Sequence, residues 1–168
     1  MSNCCAVTPE SYDNSQAERI KTAVCPSCGS KGKSVDTQTV KAMLAVSLEM
    51  LGASSTYHFC RTPDCPVVYF DRHSHFFTET NLRERVHQKH PETADVFVCY
   101  CFRHTPGSIR AELVERGEAD VVARITAGTK AGICACEIRN PQGSCCLGNV
   151  GKVVKLITAE MAAHTNGD

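Results

Sequence analysis

Two short cysteine pairs, Cys25-Pro26-Ser27-Cys28 and Cys60-Arg61-Thr62-Pro63-Asp64-Cys65, dominate the first half of the sequence. Glycines follow the first pair and allow the backbone to fold its amides around a bound metal ion. Four unrelated buried thiols are the alternative, but two short pairs beside turn residues are typical of a metal site. Four thiolates form a tetrahedral site of the kind that holds structural zinc at Zn–S distances of ~2.3 Å. We therefore predict a structural zinc ion, with no open coordination position, bound by Cys25, Cys28, Cys60 and Cys65.

The composition restricts the class of protein further. The 168 residues include 12 cysteines and no tryptophan, and 18 Lys and Arg balance 18 Asp and Glu. This neutral charge argues against nucleic acid or anionic lipid as a partner. The most apolar window, Val40 to Leu51, is shorter than the ~20 residues of a membrane-spanning helix, and the first residues lack the features of a secretory signal. We expect a cytoplasmic protein without membrane insertion, whose reduced thiols bind metals.

The pattern around the two cysteine pairs predicts a small α+β unit. A helix capped by Thr37 is expected to run to about Met50 and stop at Gly52. Its apolar stripe consists of Val40, Met43, Leu44, Leu48 and Leu51. β-Branched and aromatic runs predict short antiparallel strands at Thr56 to Phe59, Val67 to Phe70 and His75 to Thr78.

A polar segment, Val86 to Asp95, separates this unit from the second half and predicts a linker with a domain boundary near Pro91. The predicted organisation is a tail at 1–22, a zinc-binding domain at 23–90 and a second small domain at 91–168. The histidines of the first half are expected to be solvated surface residues rather than metal ligands: His58, His73, His75, His87 and His90.

The second half is predicted to be helical. Val96 to Phe102 reads as an extended segment that projects Cys99 and Cys101 from one face. Two short helices, capped by Ser108 and Asp120, are expected to form a hairpin. The turn Asn140 to Gly143 then leads into a closing helix with the apolar residues Val150, Val153, Val154, Ile157 and Met161.

These features resemble a known family. The C-x-C pair, the stretch Ile125-Thr126-Ala127-Gly128-Thr129-Lys130-Ala131-Gly132 and the paired cysteines before the last helix look like the bacterioferritin-associated ferredoxin domain, over about residues 96 to 163. That resemblance implies one [2Fe-2S] cluster. With the four-cysteine unit ahead of it, the whole of residues 25 to 163 resembles the N-terminal part of the iron-sulfur CopZ copper chaperones. The resemblance therefore implies zinc, a [2Fe-2S] cluster and the handling of Cu+.

Six cysteines compete for four cluster positions. Cys99 and Cys101 supply one half. For the other half we select Cys136, which precedes Pro141 as in the resembling family, and Cys146, which opens the closing helix where amides and the helix dipole favour a thiolate. Cys134 and Cys145 are the reserves, and a second zinc ion in this region is the alternative to a cluster.

One departure from the family concerns the delivery of copper. In that family a heavy-metal-associated domain with an M-x-C-x-x-C motif follows, and we expect no such domain here because this sequence has neither the motif nor the length after Val154. Cys4-Cys5 is a vicinal dithiol that can capture a soft metal ion, and two exposed thiols without a role are the alternative.

Three classes of function remain, none of them enzymatic, because no nucleophile elbow, phosphate-binding glycine loop or metalloprotease helix is present. The first class is a metal-handling protein that uses the cluster to reduce Cu(II) to the Cu(I) that thiolates prefer. Its candidate partners are a soft metal ion, a metal-transporting ATPase and a separate heavy-metal-associated domain. The second is an electron-transfer module that docks on a redox enzyme. The third, a zinc-binding interaction module, is disfavoured by the charge balance.

Overall fold

The computed structural model describes residues 23–52 and 56–165. The fold is α+β, as predicted, with an antiparallel sheet in the order β1-β2-β3-β4 followed by a helical half. The strands are β1 (Lys33–Val35), β2 (Tyr57–Phe59), β3 (Val67–Phe70) and β4 (Phe76–Thr78). The helices are α1 (Thr37–Met43), α2 (Pro106–Arg116), α3 (Val121–Lys130), α4 (Cys136–Arg139) and α5 (Leu147–Thr165), with 3-10 turns at Leu48–Met50, Glu79–Asn81 and His87–Lys89.

Strands β2, β3 and β4 confirm the three predicted strands. Every residue of β2 and β3 is buried, because one face packs on α1 and the other on the first cysteine site. Strand β1 was not predicted, since three residues with one β-branched side chain give no readable alternation. Its register places Lys33 opposite Phe59, one residue before Cys60.

Helix α1 is shorter than predicted and is capped by Asp36 rather than Thr37. The Asp36 side chain accepts a hydrogen bond from the backbone N–H of Gln38 at 2.7 Å. The chain leaves the helix at Leu44, which forms a bridge with Leu82 instead of continuing the turn. The predicted stripe is therefore correct for its first half and wrong for Leu48, which is 50% exposed.

The core of the first half lies between α1 and the sheet. It is built from aromatic and aliphatic side chains of α1, β2, β3 and β4, with Leu82 and Val86 closing one end. The four largest fully buried side chains in it are Tyr57, Phe59, Tyr69 and Phe77. The sequence has few aromatic residues, and these four pack the sheet against α1.

The helical half packs α2 and α3 against α5. Thr105, not Ser108, caps α2, and Ser108 is the third residue of a capping box. Asp120 precedes α3 as predicted, but its side chain makes no capping hydrogen bond. The closing helix is confirmed, with Val150, Val153 and Ile157 buried and Val154 and Met161 packed beside them.

The segment predicted to be a linker is packed against both halves. Val86 and His87 are buried, and the backbone N–H of His87 donates to Tyr100 Oη at 3.0 Å. His58 is buried as well, so the prediction of a solvated surface residue is wrong for His58 and His87. The domain boundary near Pro91 stays a prediction.

Within the described ranges, no helix is both long and apolar enough to cross a membrane.

Candidate metal centres

Two turns position the first group of cysteines. The turn at Cys25 is closed by hydrogen bonds from Cys25 N to Ser30 O (2.8 Å) and from Gly29 N to Cys25 O (2.9 Å). Gly29 adopts a φ of 69°, which a glycine accepts without strain. The second turn, Cys60 to Cys65, joins β2 to β3, as the sequence predicted. Both turns thus project their sulfurs toward one point at the edge of the sheet.

The sulfur positions fit a tetrahedral metal ion. The Cys25–Cys65 and Cys28–Cys60 sulfur pairs are each separated by 3.7 Å, and the four sulfurs all lie within 4.8 Å of one another. Zn–S bonds of about 2.3 Å at tetrahedral angles place the sulfurs about 3.8 Å apart. The donor set and its spacing are those of a closed zinc site.

The site is buried on one side and open at Cys28. Burial raises the pKa of Cys25 to about 12 in the metal-free protein. Hydrogen bonding with the hydroxyls of Ser30 and Thr62 lowers the pKa of the exposed Cys28 to about 5. Metal binding must therefore displace a proton from at least the buried thiol.

A buried lysine beside this site was missed by the sequence reasoning. Lys89 is only 9% exposed, and its Nζ donates to the carbonyl oxygen of Thr62 at 2.8 Å, in the turn between Cys60 and Cys65. A zinc ion with four thiolates carries two negative charges, which a neighbouring ammonium stabilises. No spacing rule identifies such a residue, because the contact joins segments that are distant in the sequence.

The second group of cysteines begins in a hairpin and not in the predicted extended segment. Cys99 and His104 exchange backbone hydrogen bonds at 3.1 Å, so the chain reverses between them, with Arg103 at a φ of 56°. Cys99 is fully buried in the helical core, and Cys101 is partly exposed. The two thiols consequently have different partners.

The sulfurs of this group form two pairs. Cys101 Sγ lies 3.7 Å from Cys136 Sγ. Cys99 and Cys146 are both buried in the helical core, and the interaction between their thiols lowers the pKa of Cys99 to about 7 and raises that of Cys146. Burial raises the pKa of Cys136 to about 12. The structure therefore brings together the four cysteines that the sequence selected.

The reserve thiols lie at the rim of this group. Cys145 is exposed and Cys134 is partly exposed. Cys145 still contributes to raising the pKa of both Cys136 and Cys146, so its thiol is close to theirs. Cys4 and Cys5 lie outside the described residues.

Backbone N–H groups point at the sulfurs of the second group. Ala135 N–H donates to Cys101 Sγ at 3.4 Å, and the backbone N–H of Cys146 acts to lower the pKa of Cys136. The backbone N–H groups of Phe102 and Cys101 likewise act to lower the pKa of Cys99. Such donors stabilise thiolates and tune the potential of a bound iron-sulfur centre.

Two comparisons relate the chain to known proteins. Residues 22–83 match the CopZ-type family of zinc binding domains. The crystal structure of the N-terminal domain of CopZ from Archaeoglobus fulgidus is similar to this chain, with 27% sequence identity and a TM-score of 0.63, over 78% of this chain and 97% of that one. No curated protein sequence matches. The chain thus contains a CopZ-like four-cysteine zinc-binding domain, and the likeness to the solved domain extends into the helical half.

Proposed function

We propose that this protein handles soft metal ions, with zinc as a structural ion and a [2Fe-2S] cluster as an electron carrier that reduces Cu(II) to Cu(I). The observation that carries the proposal is the arrangement of Cys99, Cys101, Cys136 and Cys146 in two sulfur pairs beside the CopZ-like zinc domain. We further propose a cytoplasmic location and a non-enzymatic role. A metal-transporting ATPase or a separate heavy-metal-associated domain would receive the copper.

The spacing of the second group supports a binuclear cluster over a second zinc ion. A single tetrahedral ion requires all its donors to be mutually close, as in the first group. In the described part of the chain, Cys99, Cys101, Cys136 and Cys146 do not form a group whose sulfurs all lie within 4.8 Å of one another. Two pairs set further apart suit two metal ions that share bridging sulfides.

The residues around the second group fit the electron-transfer role. A [2Fe-2S] cluster bound there would supply one-electron chemistry. The buried pair, Cys99 and Cys146, would fix it in the helical core, while the partly exposed Cys101 and the exposed Cys145 lie on the side of the group nearest to solvent. Such a cluster would supply one electron for each Cu(II) ion and become oxidised, and thiolates on this surface would favour the resulting Cu(I).

The test starts from protein purified without oxygen, with a visible spectrum and iron and zinc analysis. Dithionite-reduced protein, freed of reductant, is then mixed with Cu(II) and a chromophoric Cu(I) chelator. We expect stoichiometric Cu(I) and the return of the oxidised-cluster spectrum. Iron-free protein, or reduced protein that yields no Cu(I) above a Cys136→Ser control, would overturn the proposal.

A second candidate is an electron-transfer module that docks on a redox enzyme without involving copper. It is favoured by Ile133, which is 69% exposed beside the site, and by Ile138, which is 38% exposed. Apolar side chains at the rim of a redox centre suit a protein interface. A cluster that is reduced and oxidised reversibly but yields no Cu(I) would select this candidate.

A further inference from the structure

We propose that the sheet of the zinc unit positions Cys136 of the second cysteine site, so that zinc binding organises the ligand loop, defined as residues 136–146. Tyr69 is the positioning residue. Zinc binding and the order of the ligand loop are coupled within the chain itself. That this coupling prepares a cluster site rests on the proposed function.

The central contact is a buried hydrogen bond. Tyr69, fully buried in β3, donates from Oη to the carbonyl oxygen of Pro141 at 2.7 Å. Pro141 lies in the middle of the ligand loop, between Cys136 and Cys146. A buried carbonyl that loses its donor is costly, so this contact holds the loop at one height above the sheet.

Further contacts hold both ends of the loop to the same unit. Thr39 Oγ1 of α1 donates to the Glu137 carbonyl at 2.6 Å, and Lys33 Nζ of β1 donates to Ser144 Oγ at 2.6 Å. A Cβ atom at Gly143 would lie 2.9 Å from Thr39 and from Val35, so only glycine permits this close approach. The loop is thus docked at four positions.

The zinc ligands are continuous with the strands that carry these contacts. Cys60 directly follows β2, and Cys65 lies two residues before the start of β3. Cys25, Cys60 and Cys65 form one buried cluster with Val67 and Phe70 of β3. A zinc ion that joins these thiols therefore fixes the strand from which Tyr69 projects.

The other cysteines of the second site are held by the helical half. Cys99, and Cys146 at the end of the ligand loop, belong to the helical core with Ile109, Ile125 and Val150. The Cys101–Cys136 sulfur pair thus has one member held by the helical half and one held by the zinc unit. Its spacing depends on the docking of the ligand loop.

Amide hydrogen exchange tests whether Tyr69 and zinc order the ligand loop. It is measured on the full chain, loaded with zinc and free of iron. The loop amides with internal hydrogen bonds, such as those of Asn140 and Gly143, report its order. Tyr69→Phe, with zinc retained, is expected to speed their exchange about tenfold without changing that of α2. Removing zinc with a chelator is expected to raise the loop exchange further.

Tyr57→Phe is the matched control. Tyr57 is equally buried in the neighbouring strand β2, and its hydroxyl makes no hydrogen bond to the ligand loop. Loop exchange in Tyr69→Phe that does not exceed that of Tyr57→Phe, or loop exchange unaffected by zinc, would overturn the inference. Because the measurement needs no iron, its result is independent of whether the second site binds a cluster.

Discussion

The sulfurs of Cys101 and Cys136 lie 3.7 Å apart, although the first belongs to the hairpin that follows the packed 86–95 segment and the second begins α4. Two thiolates on one tetrahedral metal ion have this separation. Since each thiol is held by a different half of the molecule, the pair forms only in the folded chain. The second site is therefore a product of tertiary packing.

Loss of one member of this pair should abolish the second metal centre. We expect Cys136→Ser to lose iron and visible absorption while it keeps zinc, because serine is a poor ligand for a soft site. Cys145→Ser and Cys134→Ser should keep both metals, since these thiols lie at the rim of the site. Metal analysis of the three proteins identifies the cluster ligands. A colourless Cys145→Ser protein would show that Cys145, rather than Cys146, is the ligand.

Lys89 should contribute to zinc affinity. Lys89→Met keeps the apolar stem but removes the ammonium and leaves the Thr62 carbonyl with the 3.3 Å bond from Cys65 N. We expect about tenfold weaker zinc binding in competition with a chromophoric chelator, as for the loss of one charged hydrogen bond near an anionic site. Lys41→Met, at an exposed position on α1, is the control. Equal affinity in the two variants would contradict a role for Lys89.

Gly143 should be the least replaceable of three glycines. Gly143→Ala combines a φ of 63° with a Cβ only 2.9 Å from Thr39 and Val35, so we expect a loss of about 2–4 kcal/mol in the free energy of unfolding. Gly132→Ala has a φ of 68° without a clash and should lose about 1 kcal/mol. Gly148→Ala, exposed in α5 with no neighbouring atom, should gain about 0.5–1 kcal/mol.

Urea unfolding of the zinc-loaded proteins measures this order. A Gly143→Ala protein as stable as Gly132→Ala would show that the ligand loop can move away from α1 at no cost.

The sequence was sufficient to predict the first metal site because its ligands come in short pairs. Each pair lies in a turn, and local geometry directs both sulfurs of a pair. The three strands around the second turn were equally predictable from their β-branched and aromatic runs. The α+β fold of this part of the chain was therefore predictable from local sequence patterns.

Other features could not be predicted because they depend on distant contacts. Helix α1 ends where Leu44 pairs with Leu82, and the buried His87 donates its backbone N–H to Tyr100 Oη. The contact of Tyr69 with Pro141 likewise joins residues separated by 72 positions. Periodicity and capping rules contain no information on such pairs.

The ion pair between Glu112 and Arg124 should make the helical half sensitive to acid. Arg124 donates to both oxygens of Glu112, at 2.8 and 2.7 Å, and lowers the pKa of Glu112 from 4.5 to about 2. A carboxyl group whose pKa is lower in the folded state stabilises the fold above its ordinary pKa, and this stabilisation is lost as the pH falls toward the folded pKa. The contribution of the pair should therefore be full above pH 4.5 and decline toward pH 2.

The measurement is the difference in the free energy of unfolding between the parent protein and Arg124→Gln across this range. Both proteins contain the same thiol sites, so acid release of metal affects each and largely cancels in the difference. We expect the difference to fall by about half or more between pH 4.5 and pH 2. Arg85→Gln breaks the exposed pair with Asp95 and should show a small difference at every pH, because solvent screens exposed charges. A difference for Arg124→Gln that stays constant down to pH 2 would show that Arg124 stabilises the hairpin of α2 and α3 by packing rather than by its charge.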